Sequence, residues 1–140
     1  MKSGRRRARE YALQGLYQWL VAGGSPREIA LQLAADPGFE RADEAYFRVL
    51  LDGVVSHRDP LETLIGTAVD RKIETLSPIE RAILMLGAYE LQHRVEVPYR
   101  VVMNEAIELA KAYGGTDGHK YVNGVLDRLG PELRPEETRQ

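Results

Sequence analysis

A chain of 140 residues, 44 % hydrophobic and 29 % charged, has the balance of a folded globular protein and can bury roughly two-thirds of its unfolded surface. It contains no cysteine, which excludes disulfides, thiolate nucleophiles and cysteine-ligated metal centres together. The net charge of -2 hides a split: residues 1–10 hold Lys2, Arg5, Arg6, Arg7 and Arg9 against Glu10 alone, whereas the remainder holds fourteen basic against twenty acidic residues. A cationic end on an acidic body attracts phosphates before specific contacts form, and releases counterions on docking.

That basic start is not expected to be a signal peptide, because Tyr11-Ala12-Leu13-Gln14 leads into Gly15, Leu16, Tyr17 and Gln18 rather than an apolar run with a small-residue cleavage site. No stretch approaches the roughly twenty apolar residues that span a bilayer. A cytoplasmic protein without a membrane partner is the expectation.

Helical periodicity dominates the chain. A first helix is predicted from about Arg5 to Val21, with Ala12, Leu13, Leu16 and Leu20 as its apolar stripe, ended by Gly23-Gly24. Ser25-Pro26-Arg27-Glu28 places a cap, a proline and a capping-box acid in register, predicting a short second helix to about Ala34. A third helix follows over about residues 43–57, burying Tyr46, Phe47, Leu50, Leu51 and Val54. Asp59-Pro60-Leu61-Glu62 and Ser77-Pro78-Ile79-Glu80 repeat the capping arrangement and predict two more starts.

The helix opened by Pro78 is apolar on almost every side from Ile79 to Leu91, so it should be central, with Gly87 admitting a close neighbour. Val97-Pro98 starts the next helix, which Gly114-Gly115 stops. Asp117 is a candidate cap for a last helix ending at Gly130-Pro131. The expectation is an all-α fold of about seven helices in two packed small bundles: a domain over residues 1–134 with a basic arm at 1–9, then a loose charged tail at 135–140.

Two surfaces stand out as binding candidates. On the first helix Arg9 projects near the apolar stripe and Arg5 near its edge, while Arg7 and Gln14 share the far side. Either the arm before Arg9 is mobile, or Arg9 snorkels past the core edge. Cations at a helix N-terminus oppose the macrodipole by about 0.3–1 kcal/mol each, so stability alone does not favour them there. An anion-binding role accounts for them better than solubility does.

The second surface is Thr116 to Tyr121, where a helix start, the charge of Lys120 and the ring of Tyr121 can meet a phosphate and an unstacked base. The plainer readings are that Asp117 only caps and Tyr121 packs inward.

Catalysis is not expected, nor any cofactor or metal. His57, His93 and His119 lie in separate elements without a ligand spacing, and Ser25 and Ser77 are caps. Gly114-Gly115 follows no strand and is not a nucleotide cradle.

The opening Arg5-Arg6-Arg7-Ala8-Arg9-Glu10-Tyr11-Ala12-Leu13-Gln14-Gly15-Leu16-Tyr17 and the segment Ile79-Glu80-Arg81-Ala82-Ile83-Leu84 resemble the NusB family of bacterial transcription antitermination factors. So does the stretch from Val97 to Leu129, most specifically Asn104-Glu105-Ala106-Ile107-Glu108-Leu109-Ala110-Lys111 and His119-Lys120-Tyr121-Val122-Asn123-Gly124-Val125-Leu126. The resemblance implies two crossed helical bundles and a non-catalytic factor. Such a factor binds boxA-type single-stranded RNA together with ribosomal protein S10, within an antitermination complex with RNA polymerase.

By the same resemblance, Arg5, Arg6, Arg7 and Arg9 would hold phosphates and Gln14 would lie near bases. Lys120 would add a phosphate contact and Tyr121 a ring, with Asp117 in that surface or capping. Tyr17 and Glu80 would face the protein partner. The competing reading is an adaptor that binds proteins and no RNA. Monomer and homodimer both stay open, since one sequence carries no symmetry operator.

Overall fold

Serine and aspartate caps start the first three α-helices. The computed structural model describes residues 2–139, so the end residues of the expected arm and tail, Met1 and Gln140, lie outside the described residues. Among those described, every regular element is helical: eight α-helices and two 3-10 turns. They divide into two compact units, Met1–His57 and Arg58–Gln140.

The first unit holds α1 (Gly4–Ala22), α2 (Pro26–Ala34), a 3-10 turn (Pro37–Arg41) and α3 (Glu44–Ser56). The Ser3 hydroxyl caps α1 by accepting from the Arg6 N–H at 3.0 Å. Ser25 caps α2 through the Glu28 N–H at 3.1 Å, and Asp43 caps α3 through the Tyr46 N–H at 3.0 Å. Each satisfies a donor that the helix itself leaves unpaired.

Ala8, Ala12, Leu13 and Leu16 of α1 are buried, as are Tyr46, Phe47, Leu50, Leu51 and Val54 of α3. A Cβ on Gly15 would stand 3.2 Å from the side chains of Ile29, Leu33 and Leu51, so this glycine lets α1 lie close against its neighbours. Phe39 of the 3-10 turn completes the core, edge-on to Tyr11 at 5.0 Å and to Phe47 at 5.2 Å.

The second unit holds α4 (Arg58–Gly66), a 3-10 turn (Ile73–Thr75), α5 (Pro78–His93), α6 (Tyr99–Tyr113), α7 (Gly118–Leu133) and α8 (Pro135–Thr138). Ten consecutive residues of α5, Ala82 to Leu91, are buried, which bears out the central position that its sequence predicts. α6 and α7 pack on it and on each other. A Cβ on Gly87 would come within 2.8 Å of Leu126 Cδ1 on α7.

Three local expectations change. Asp59 does not cap: α4 starts at Arg58, a single residue after α3 ends, and Asp59 sits in its first turn. Pro60 is tolerated because a first-turn N–H has no partner within the helix. α7 does not stop at Gly130-Pro131 but continues to Leu133 with Pro131 inside.

The expected loose tail is instead the short α8, tied to the helices before it. Arg134 is buried, donating through Nε to the Leu91 carbonyl at 2.7 Å and through Nη2 to those of Glu90 and Arg94 at 3.2 and 3.1 Å. Glu137 pairs with Arg134 and accepts from the Tyr99 N–H at 2.8 Å. One arginine thus adds donors to carbonyls at the end of α5, where those of Glu90 and Arg94 also accept from the Arg94 and Val97 N–H groups.

Candidate nucleic-acid interface

α1 begins at Gly4, so all four of its arginines are helical and the mobile-arm alternative does not describe them. The helix then sorts them by angle. Arg5 and Arg9, four residues apart, turn toward the same ring: their Cζ atoms lie 4.0 and 5.5 Å from the centroid of Tyr46.

Arg9 is only 4 % exposed, in keeping with its place beside the apolar stripe. Its alkyl stem follows the apolar stripe into the unit, and its guanidinium ends over an aromatic face. Arg5 stays half exposed, 4.0 Å from Asp43 Oδ2. Arg6 and Arg7 remain on the partly exposed flanks of the helix, with Gln14 and Tyr17 exposed further along it. Lys2 reaches Glu10 at 2.8 Å.

The second candidate surface belongs to the other unit. Asp117 occupies the cap position of α7 but makes no side-chain capping hydrogen bond. Its carboxylate faces Lys120 at 3.5 Å, and both side chains are about three-quarters exposed. Tyr121, partly buried, donates from its hydroxyl to Asp70 Oδ1 at 3.3 Å, and Arg71 Cζ lies 4.9 Å from the centre of its ring. The Arg71 Nε in turn donates to Asp70 at 2.9 Å.

Burial raises the Tyr121 phenol above its ordinary value; Arg71 pulls it down, and the charge and hydrogen bond of Asp70 push it up again. The hydrogen bond from Arg71 holds the Asp70 carboxyl below the ordinary range. Three side chains are thereby fixed to one another on the surface.

Glu80 adds an acid to the same neighbourhood. Its backbone N–H donates to Ser77 as half of the expected capping box, at 3.1 Å. Its carboxylate, however, lies beside the start of α7: a Cβ on Gly118 would stand 2.9 Å from Oε2. The sequence reading assigned Glu80 to one partner and Tyr121 to another, and the fold sets both around the first turn of α7.

Asp70, Glu80 and Asp117 give this helix start an acidic border. Arg71 and Lys120 are paired with two of these acids, Asp70 and Asp117. Sequence reasoning missed Tyr46, taken only as core, and the pair Asp70-Arg71. Their signal was the polar run Asp70-Arg71-Lys72 interrupting an apolar pattern.

Among the described residues, no group of three His, Asp or Glu side chains is arranged to hold a metal ion, and no helix is long and apolar enough to cross a membrane. These features define an all-helical protein of two compact units. One carries an arginine-rich helix start, and the other an aromatic ring bracketed by charged side chains.

The chain belongs to the NusB family, whose model matches residues 6–130. It is 54 % identical to the transcription antitermination protein NusB of Paraburkholderia phytofirmans over 99 % of this chain and 96 % of that one. Identity to the protein of the same name from Burkholderia mallei is 52 %, over 98 % and 94 %.

Among solved structures it superposes on T. maritima NusB with a TM-score of 0.86, at 29 % identity over the whole of both chains. A crystal structure of antitermination factors NusB and NusE in complex with dsRNA matches with a TM-score of 0.82 and 28 % identity, covering 89 % of this chain and 93 % of that one.

Proposed function

We propose that this protein is a transcription antitermination factor that binds boxA-type single-stranded RNA together with ribosomal protein S10, and so supports processive transcription of ribosomal RNA operons. Ribosomal protein S10 is the NusE of the related complex with RNA. The role is one of assembly in the cytoplasm, within a complex that includes RNA polymerase, rather than catalysis. The observation that carries this reading is the arginine-rich start of α1, a positive end on an acidic chain, in a family whose relatives are named for antitermination.

In this reading Arg6 and Arg7 hold phosphates, with Arg5 at the margin and Gln14 near the bases. Arg9 positions Arg5 by sharing the ring of Tyr46. Lys120 supplies a further cation, Tyr121 stacks on an unpaired base, and the carboxylate of Asp117 accepts from a base edge. Tyr17 and Glu80 meet the protein partner.

RNA and ribosomal protein S10 each tighten the binding of the other, because a coupling free energy between two sites is reciprocal. Titration of boxA-like and scrambled single-stranded RNA, with and without ribosomal protein S10, tests this. The boxA-like strand should bind more tightly, and more so with S10 present. Equal affinities throughout would remove sequence reading. Binding of S10 with no RNA binding at all would leave the protein adaptor. A duplex competitor decides strand preference, since the RNA in the related complex is double-stranded.

A further inference from the structure

We infer that Arg71 is a further RNA-contacting residue, forming with Tyr121 a composite shelf on which one nucleotide is held by its base and its phosphate. The inference rests on the RNA reading above and adds to it a residue that neither the sequence pattern nor that reading assigns.

Arg71 is about half exposed, yet it is held in place from two directions. Its Nε donates to Asp70 Oδ1 at 2.9 Å, and its Cζ stands 4.9 Å from the centre of the Tyr121 ring. Asp70 also accepts from the Tyr121 hydroxyl at 3.3 Å, so a single carboxylate sets both partners. An exposed arginine ordinarily loses rotamer freedom when it binds, and much of that cost is already met here.

The ring of Tyr121 offers a π-face to a base, and a guanidinium beside it offers a second plane that either stacks or forks onto phosphate oxygens. With Nε committed to Asp70, the terminal N–H groups are the ones that reach the ligand. Asp70 remains two-thirds exposed and can accept from an exocyclic amino group on the same base.

The start of α7 is bordered by Asp117, whose carboxylate already faces Lys120, and by Glu80. A strand passing Tyr121 needs a cation close to the ring to offset these acids. Arg71 lies against that ring, and Arg128 is near enough to act on the same phenol.

The test measures the affinity of the full-length protein for a boxA-like single-stranded RNA across a salt series, using wild type, Arg71→Ala, Arg71→Lys and the double variant Arg6→Ala/Arg7→Ala. Thermal melts confirm that each variant is folded. Arg71→Ala should weaken binding by about five- to tenfold and reduce the slope of log affinity against log salt by about one. Arg71→Lys should keep the slope but recover only part of the affinity, because an ammonium has no plane to stack.

Wild-type affinity and slope in Arg71→Ala, while the double variant is weakened, would overturn the assignment and leave the RNA reading standing. No RNA binding by the wild type, with or without ribosomal protein S10, would remove both. If Arg71→Ala loses affinity for S10 and none for RNA, the residue belongs to the protein interface and the assignment is overturned.

Discussion

Arg5 and Arg9 converge on one aromatic ring, that of Tyr46, which holds their guanidinium carbons 4.0 and 5.5 Å from its centre. The four arginines of α1 are therefore not equivalent. Replacing both Arg6 and Arg7 by Ala should reduce the salt dependence of RNA binding by about two in log–log slope with little change in stability. Arg9→Ala should instead destabilise the fold by about 1–3 kcal/mol through lost packing and the emptied space over Tyr46. Paired urea melts and RNA titrations separate the two effects. Equal loss of affinity in both variants, without loss of stability in Arg9→Ala, would contradict the division.

Gly87 of α5 faces Leu126 of α7 across a close approach of the two helices. A methyl group there would meet Leu126 Cδ1 at 2.8 Å, and Leu126 is fully buried. Ala is the better helix former by about 1 kcal/mol at an unconstrained site, but overpacking costs about 1–3 kcal/mol and should dominate. Gly87→Ala should lower the denaturation midpoint, and Gly87→Ala with Leu126→Val should recover part of the loss. A more stable single variant would show that the helices separate freely.

The outline of the fold was legible from residues that act locally. Ser25-Pro26 and Ser77-Pro78 start helices where capping chemistry requires, and the unbroken apolar run of α5 announced its central place. What the sequence could not reveal depends on partners distant in the chain. Asp59-Pro60 has the same local pattern as the serine starts, but the chain enters α4 one residue after leaving α3 and never uses Asp59 as a cap.

Pro131 reads as a stop. Yet α7 continues past it to Leu133, and Arg134 lies buried against carbonyls more than forty residues away. The candidate site divides in the same way. Arg6, Arg7, Lys120 and Tyr121 were visible as residue types in clusters. The burial of Arg9 and the grip of Asp70 and Arg71 on Tyr121 arise from tertiary contact, which helical periodicity does not encode.

Arg134 should be worth more than its place near the C-terminus suggests. Its guanidinium donates to the carbonyls of Leu91, Glu90 and Arg94. A charged donor of this kind contributes about 1.5–3 kcal/mol per hydrogen bond removed, with part recovered by water reaching the carbonyls. Arg134→Ala should destabilise by about 2–4 kcal/mol, and Glu137→Gln by much less, since the amide oxygen can still accept from the Tyr99 N–H. Chemical denaturation measures both. Arg134→Ala at wild-type stability would mean that the last turn is dispensable.

Tyr11 should titrate late. Burial first, then its hydrogen bond to Asp36 and the charge of that carboxylate, push its phenol up to about 12 from an ordinary value of 10.0. A folded-state pKa above the unfolded one contributes stability that is fully present below pH 10.0 and is lost as pH rises toward about 12. Tyr11→Phe should therefore be less stable than wild type at neutral pH, with the gap closing over that alkaline window. Ultraviolet titration should show fewer tyrosines ionising near pH 10 in the folded protein than the seven of the unfolded chain, and Tyr11→Phe should remove a step near pH 12. Ionisation of Tyr11 at its ordinary value would dismiss the Asp36 bond.

Glu62 contributes to the acid limb. Burial pushes its carboxyl up, but hydrogen bonds from Arg58 and Arg81 and the charges of both outweigh that and leave it below the ordinary 4.5. Because the folded-state value is the lower one, the stabilisation is present above pH 4.5 and fades as pH falls through the folded pKa. Glu62 joins Arg58 within α4 to Arg81 on α5, so Glu62→Gln loosens that helix pair by weakening both ion pairs at once. Its stability deficit relative to wild type should be constant from pH 7 down to about 5 and shrink below, because wild type loses the same charge there. Urea melts of the two proteins across pH 3–7 measure the difference directly. A deficit that stays constant to the acid end would place the effect in packing rather than in the charge of the carboxylate.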